Sequence, residues 1–417
     1  MSATHTHSVF SSATIGNTTL RNRVIKAATL EGMSHQCRPT TALLNYHVAL
    51  AKGGVGMTTL GFCAVSKNAR MRNEQIYLRD DVVAPLRQIC DAVHNEGSGI
   101  CIQLGHCGYI TSNRQLAANE HLGPSRRFNL YGALNGHPYA SAMSSSDVSD
   151  RIDEFANAAR LAMDAGFDAI ELLFGHGYLV HQFLTAASNR RTDEYGGSIE
   201  NRARLGVKII ERIRDSLGPY FPLLIKMNLS DGVRGGLEVD EAAQFAKIFE
   251  NAGASALVLS GGLADRSPLY TIRGEAPLDD LTNAEHNVAQ KIALATLGRT
   301  LVKPVPFEPM YFLTEAIEIR KAVRLPLVLV GGITSMSDLE QTMRHGFEFA
   351  AMGRALIHDP YLIAKFMVSE LNRSGCEPCN RCLAEAELEG GLRCAKQPLQ
   401  LMRRERVVAE AQHLNVL

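Results

Sequence analysis

Short apolar runs recur along this chain, and between them lie longer segments in which apolar residues return every three or four positions. The runs read as strands buried on both faces, the longer segments as amphipathic helices. Strands are predicted at 23–28, 55–60, 99–104, 169–174, 223–228, 256–260, 326–330 and 347–352. Helices are predicted at 41–52, 85–95, 151–165, 198–217, 238–252, 312–323, 336–345 and 361–371. Six of them run into glycine (Gly53, Gly97, Gly166, Gly218, Gly253, Gly346), the residue that ends a helix in the left-handed region. Eight strand–helix alternations predict an α/β protein of the closed (β/α)8 type. An open doubly wound sheet would place a GxGxxG turn after its first strand, and none stands there.

Such a barrel needs about 250 residues, so a chain of 417 carries elaborations. The long connections 105–150, after the third strand, and 261–311, after the sixth, leave from the strand ends where barrels keep their chemistry. They are expected to form walls or lids, with helix near 284–297 in the second. Residues 1–371 read as one barrel domain and 372–417 as an extension that is not an independent domain.

Charge is balanced, 43 basic against 43 acidic residues, which leaves no electrostatic footprint for nucleic acid or an anionic membrane. No apolar run reaches membrane-spanning length, and the N-terminus lacks the basic and apolar regions of a secretory signal. A cytoplasmic enzyme acting on small molecules is the expectation.

The segment 170–204, IELLFGHGYLVHQFLTAASNRRTDEYGGSIENRAR, holds the candidate chemistry. A strand end breaks into Gly175-His176-Gly177-Tyr178, and a charged loop then leads to a helix capped by Ser198. Elsewhere, Gln103 and Lys226 interrupt apolar strands, in IQLG and LLIKMN, where a buried amide or amine needs a partner. The seventh strand ends in Gly331-Gly332 and the eighth in Gly353-Arg354, the two loops where barrels often bind phosphate.

The 170–204 string closely resembles the signature of the Old Yellow Enzyme family of FMN-dependent NAD(P)H oxidoreductases, and the likeness extends from about Phe10 to Met367. The resemblance implies FMN held by Ala27, Ala28 and Thr29 on the first strand, by Gln103 and Lys226 at the ring edge, and by Gly331, Gly332, Gly353 and Arg354 at the phosphate. It implies Tyr178 as proton donor and His176 as a carbonyl-polarising, substrate-binding residue. NAD(P)H would reduce the flavin and leave, and an electrophilic alkene conjugated to a carbonyl would then take the hydride.

The departures are Ala28, where the family often has Pro, and Leu173, where most members carry a second His. Losing one oxyanion-type donor costs about 10²–10³ in rate, so a residue of the loop after the sixth strand, Tyr270 or Arg273, is expected to assist His176. Leu173 also keeps open an oxidative dehydrogenase or NADH oxidase, and a non-catalytic flavin-binding protein.

Cys376, Cys379, Cys382 and Cys394 have the density of a metal site and resemble the iron–sulfur ligand run of the dienoyl-CoA reductase branch. That run has three residues in its second gap rather than two, and its cluster serves a further nucleotide-binding domain. A 4Fe-4S cluster is therefore not favoured, and metal-free thiols are expected.

Overall fold

The computed structural model describes residues 8–117, 120–134 and 136–397, so positions 398–417 of the expected extension lie outside the described residues. Eight parallel strands close into a barrel: β1 Val24–Lys26, β2 Met57–Ala64, β3 Gly99–Gly105, β4 Ala169–Leu173, β5 Leu223–Asn228, β6 Ala256–Ser260, β7 Leu327–Val330 and β8 Phe349–Met352. Each pairs with the next, and Ala351 of β8 lies opposite Ile25 of β1 to complete the ring. The outer helices are α1 Thr41–Lys52, α2 Asp80–His94, α3 Ser145–Asp164, α4 Ile199–Leu217, α5 Val239–Asn251, α6 Leu313–Ala322, α7 Met336–Arg344 and α8 Leu362–Met367. No helix among the described residues is long and apolar enough to cross a membrane.

Alternation along each strand sorts the side chains. Ile25, Met57, Cys101, Ala169, Leu224, Val258, Val328 and Phe349 fill the barrel interior, and the hairpin residues Ile15 and Leu20 join them. Their neighbours in sequence, such as Val24, Ile100, Ile170 and Ile225, face the helices in the larger outer core. The same parity carries Gln103, Glu171 with Leu173, and Lys226 with Asn228 inward at the C-terminal end of the barrel.

Helix starts differ most from expectation. Helix α2 begins at Asp80 and carries Pro85 inside, with Asp80 and Asp81 favourably placed in its first turn. Helix α3 begins at Ser145, set by a capping box between Ser144 and Asp147. After α1 the left-handed stop falls at Gly54, because Gly53 keeps a right-handed conformation. Helix α8 is shorter than expected and follows a one-turn helix, Arg354–His358.

The connection after β3 holds a small sheet, Leu122–Gly123, Arg127–Phe128 and Tyr139–Ala142, that no run of apolar residues announces. The connection after β6 is more helical than expected: Pro268–Ile272, Leu278–Ala284 and Val288–Leu301. Both wall a cavity of about 1120 Å³ beside the barrel mouth. The described part of the extension packs back onto the loop after β1, where the Leu392 N–H donates to the Glu31 carbonyl at 2.7 Å. Gly32 sits so close to Ala386 there that a Cβ would lie 1.9 Å from its carbonyl oxygen.

Candidate functional site

Inside the mouth, three neighbouring strands bring polar groups together. Gln103 Nε2 donates to Glu171 Oε1 at 2.5 Å, and Lys226 Nζ lies 3.4 Å from the same oxygen. All three side chains are buried, so the carboxylate balances the ammonium. Glu171 was missed from sequence, although a single acid of inward parity in AIELL was the available signal.

His176 follows β4 with φ of 60°, a left-handed conformation uncommon outside glycine, which marks a constrained loop. Its N–H donates to Asn228 Oδ1 at 3.0 Å, and its carbonyl accepts from the Ala264 N–H at 3.0 Å. Asn228 in turn donates to Asp231 Oδ1 at 2.8 Å, and the same oxygen is 2.9 Å from His181 Nε2. Burial works to raise the Asp231 pKa, yet the His181 and Asn228 contacts hold it below the usual carboxylate value. This buried Asn228–Asp231–His181 set fixes the bend at His176, and sequence reading did not find it. Burial, reinforced by the charge of Lys226, pulls the His176 pKa down to about 3. The ring is therefore neutral near pH 7, and its Nδ1 is buried without a hydrogen-bond partner.

Tyr178 caps the short helix Leu179–Leu184. Its hydroxyl lies 3.4 Å from Met71 Sδ and its ring meets Phe62 edge-on at 5.1 Å. Phe62 sits at a register irregularity of β2 between Leu60 and Cys63, and bulges of this kind re-aim side chains. It also lines the large cavity and so stands between that space and Tyr178; Gln103, Lys226, His176 and Tyr178 are not on the cavity wall.

On β1 and the turn after it, Ala27 faces the interior while Ala28 and Thr29 are half-buried. Thr29 Oγ1 accepts a 2.8 Å hydrogen bond from Lys26 Nζ, and Lys26 pairs with Glu31 at 3.6 Å, both buried. At the other side of the mouth, Gly331 and Gly332 have φ of 106° and 74°, and a Cβ on Gly331 would strike the rings of Phe312 and Tyr311 at 2.7 Å. A Cβ on Gly353 would meet only Thr29 Cγ2, at 4.0 Å, so open space lies beside Gly353.

Arg354 Nη1 donates to the Arg273 carbonyl at 2.8 Å and also to the Asn380 side chain. Arg273, expected to assist His176, has its guanidinium caged by Tyr311, Tyr270 and Phe312 at 4.8, 5.0 and 5.7 Å. Tyr270 packs on Phe312 at 5.8 Å. Neither is bonded to His176 or Tyr178.

The four clustered cysteines do meet, around a pocket of about 20 Å³ with Arg354 and His358. That is room for about one water, and no group of His, Cys, Asp or Glu among the described residues is arranged to hold a metal ion. Burial pushes the thiols up, Cys376 to about 11 and Cys382 to about 12. As arranged, the pocket does not fit a four-iron cluster.

The inward Gln103 and Lys226, the unpartnered His176 Nδ1 and the open space at Gly353 fit a flavin across the barrel mouth. Comparison with known proteins agrees in kind. The model of the NADH:flavin oxidoreductase / NADH oxidase family matches residues 8–266. A 4,4'-dithiodibutanoate disulfide reductase of Rhodococcus erythropolis is 36% identical over 406 residues, 97% of this chain and 98% of that protein. An NADH oxidase of Thermoanaerobacter brockii is 30% identical over 406 residues, 95% of this chain, but the chain spans 56% of that relative's length. The solved Old Yellow Enzyme homologue of Zymomonas mobilis shares the fold, with a TM-score of 0.67 at 21% identity, covering 94% of this chain and 98% of that one. The barrel, its matched span and a relative alike from end to end lead to one conclusion: this chain is an oxidoreductase of the NADH:flavin oxidoreductase family, that of the Old Yellow Enzymes.

Proposed function

We propose that the chain is an FMN-dependent reductase that takes electrons from NADH or NADPH and passes them to an activated C=C bond of an α,β-unsaturated carbonyl compound. FMN, when bound, supplies the hydride. Gln103 and Lys226 would hold the ring edge, with Ala27, Ala28 and Thr29 beside the ring and Gly331, Gly332, Gly353 and Arg354 at the phosphate. His176, neutral because it is buried, donates a hydrogen bond to the substrate carbonyl without carrying a charge of its own. Tyr178 gives its proton to the carbon next to that carbonyl. The observation that carries this reading is the adjacency of strands β3, β4 and β5, which sets the Gln103–Glu171–Lys226 group directly below the His176–Tyr178 bend.

Leu173 favours a second acceptor. It is buried and apolar where a second carbonyl donor would stand, and a disulfide needs no such donor. A hydride and one proton convert R–S–S–R′ into two thiols, and the proton on the departing sulfur again comes from Tyr178. The Rhodococcus relative named as a disulfide reductase supports this reading.

Anaerobic titration tests both. NADH or NADPH should bleach the flavin of the purified protein, and 2-cyclohexenone or 4,4'-dithiodibutanoate should restore its colour. Recovery with oxygen alone would make the chain an oxidase, and absence of bleaching would make it a flavin-binding protein.

A further inference from the structure

Across the eight barrel strands Glu171 is the one acidic residue, and it is 3% exposed. A carboxylate so placed is costly unless it is both paired and hydrogen-bonded. Its Oε1 meets both needs, accepting from Gln103 Nε2 at 2.5 Å and lying 3.4 Å from Lys226 Nζ. Strand register brings the three together. Glu171 stands opposite Gln103 across β3 and β4, and Lys226 stands opposite Leu173, the next inward position of β4.

For stability alone, an apolar set of similar volume serves as well as a buried ion pair or better. The partners of Glu171 point to another use, because Gln103 and Lys226 are the two groups that the reductase reading sets at the flavin ring edge. The bond to Glu171 commits an amide hydrogen of Gln103 and turns the Oε1 of that amide away from the carboxylate. The Lys226 ammonium, which alone would present a full positive charge, comes with a counter-charge of its own. Reduction of a flavin adds negative charge at the ring, so a bare ammonium there favours the reduced form and a carboxylate beside it opposes that preference.

We propose that Glu171 is a positioning residue of the flavin site, which orients Gln103, tempers the charge of Lys226 and so keeps the bound flavin strongly reducing. The inference rests on the reductase reading for the flavin, and the roles of His176 and Tyr178 do not enter it. At an effective dielectric of about 20, two unit charges still shift each other's equilibria about tenfold at about 12 Å. A ring edge within hydrogen-bond reach of Lys226 lies inside that distance from Glu171.

Potentiometric titration of the FMN-loaded protein is the test. Glu171→Gln can still accept from Gln103 but carries no charge, so it should raise the two-electron midpoint potential. Reduced FMN should gain about tenfold in affinity relative to oxidised FMN, a rise of about 30 mV. Glu171→Asp keeps the charge and should keep the potential of the parent. A purely structural Glu171 would instead lower Tm and weaken both flavin forms alike, leaving the potential unmoved. Glu171→Leu removes the same charge and supplies the reading if the Gln variant does not fold. A potential unchanged or lowered in a charge-free variant, or an equal rise in Glu171→Asp, overturns the inference and leaves the reductase reading standing. A parent protein that binds no FMN overturns both.

Discussion

Lys26 gives the sharpest physical test, because its ammonium is fully buried between β1 and α1 with Glu31 at 3.6 Å and Thr29 at 2.8 Å. Replacing it by Met keeps the bulk of the stem and leaves the Glu31 carboxylate with the single Gly61 N–H, shared by its two oxygens at 3.1 and 3.2 Å, and the Thr29 hydroxyl at 3.5 Å. Removing one member of a buried pair costs about 3–5 kcal/mol. Unfolding entropy of about 2.1 cal/mol/K per residue over 417 residues is about 0.9 kcal/mol/K, so Lys26→Met should lower Tm by about 3–6 °C. Lys26→Met with Glu31→Gln should lose much less than the two single changes together, because no buried charge is then orphaned. Scanning calorimetry of the four proteins reads both values.

Burial also pulls the Lys26 pKa down to about 8, below its ordinary 10.5. Between these values the unfolded chain holds a proton that the folded chain has released, so this group's contribution to stability rises with pH across that window and is lost as pH falls through 8. Lys26→Met should abolish that rise. A Tm unchanged to within about 1 °C, or single effects that simply add, would refute the reasoning.

Three further outcomes are expected. Tyr178→Phe should lower kcat for alkene reduction by about 10²–10⁴-fold while NAD(P)H still bleaches the flavin; stopped-flow measurement of the two half-reactions separates them. Leu173→His should raise turnover of 2-cyclohexenone by about 10²-fold in steady-state assays and leave disulfide turnover unchanged. The hydrogen bond to Asp168 at 2.8 Å raises the His94 pKa, so its stabilisation is complete below the ordinary value of about 6.5 and lost as pH rises through the raised one. His94→Gln should accordingly lower Tm more at about pH 6 than at about pH 9.

The order of elements was legible in the sequence because hydrophobic period is a local property. Strands β5 and β6 and helix α1 fall at their expected bounds, and Ser198 caps α4 as its residue type requires. The His176–Tyr178 bend was legible for a related reason, since its residues are contiguous. Contacts between distant segments were not. Glu171 meets Gln103 and Lys226 only because barrel closure aligns inward positions of three strands, and Asn228, Asp231 and His181 meet only around the turn they support. Arg273 was drawn away to a cage of aromatic rings whose members come from different parts of the chain. The large cavity is likewise a product of two connections folding against each other, for which no local pattern exists. The residues named the family, and the closure of the barrel chose their partners, because burial and pairing depend on neighbours in space rather than in sequence.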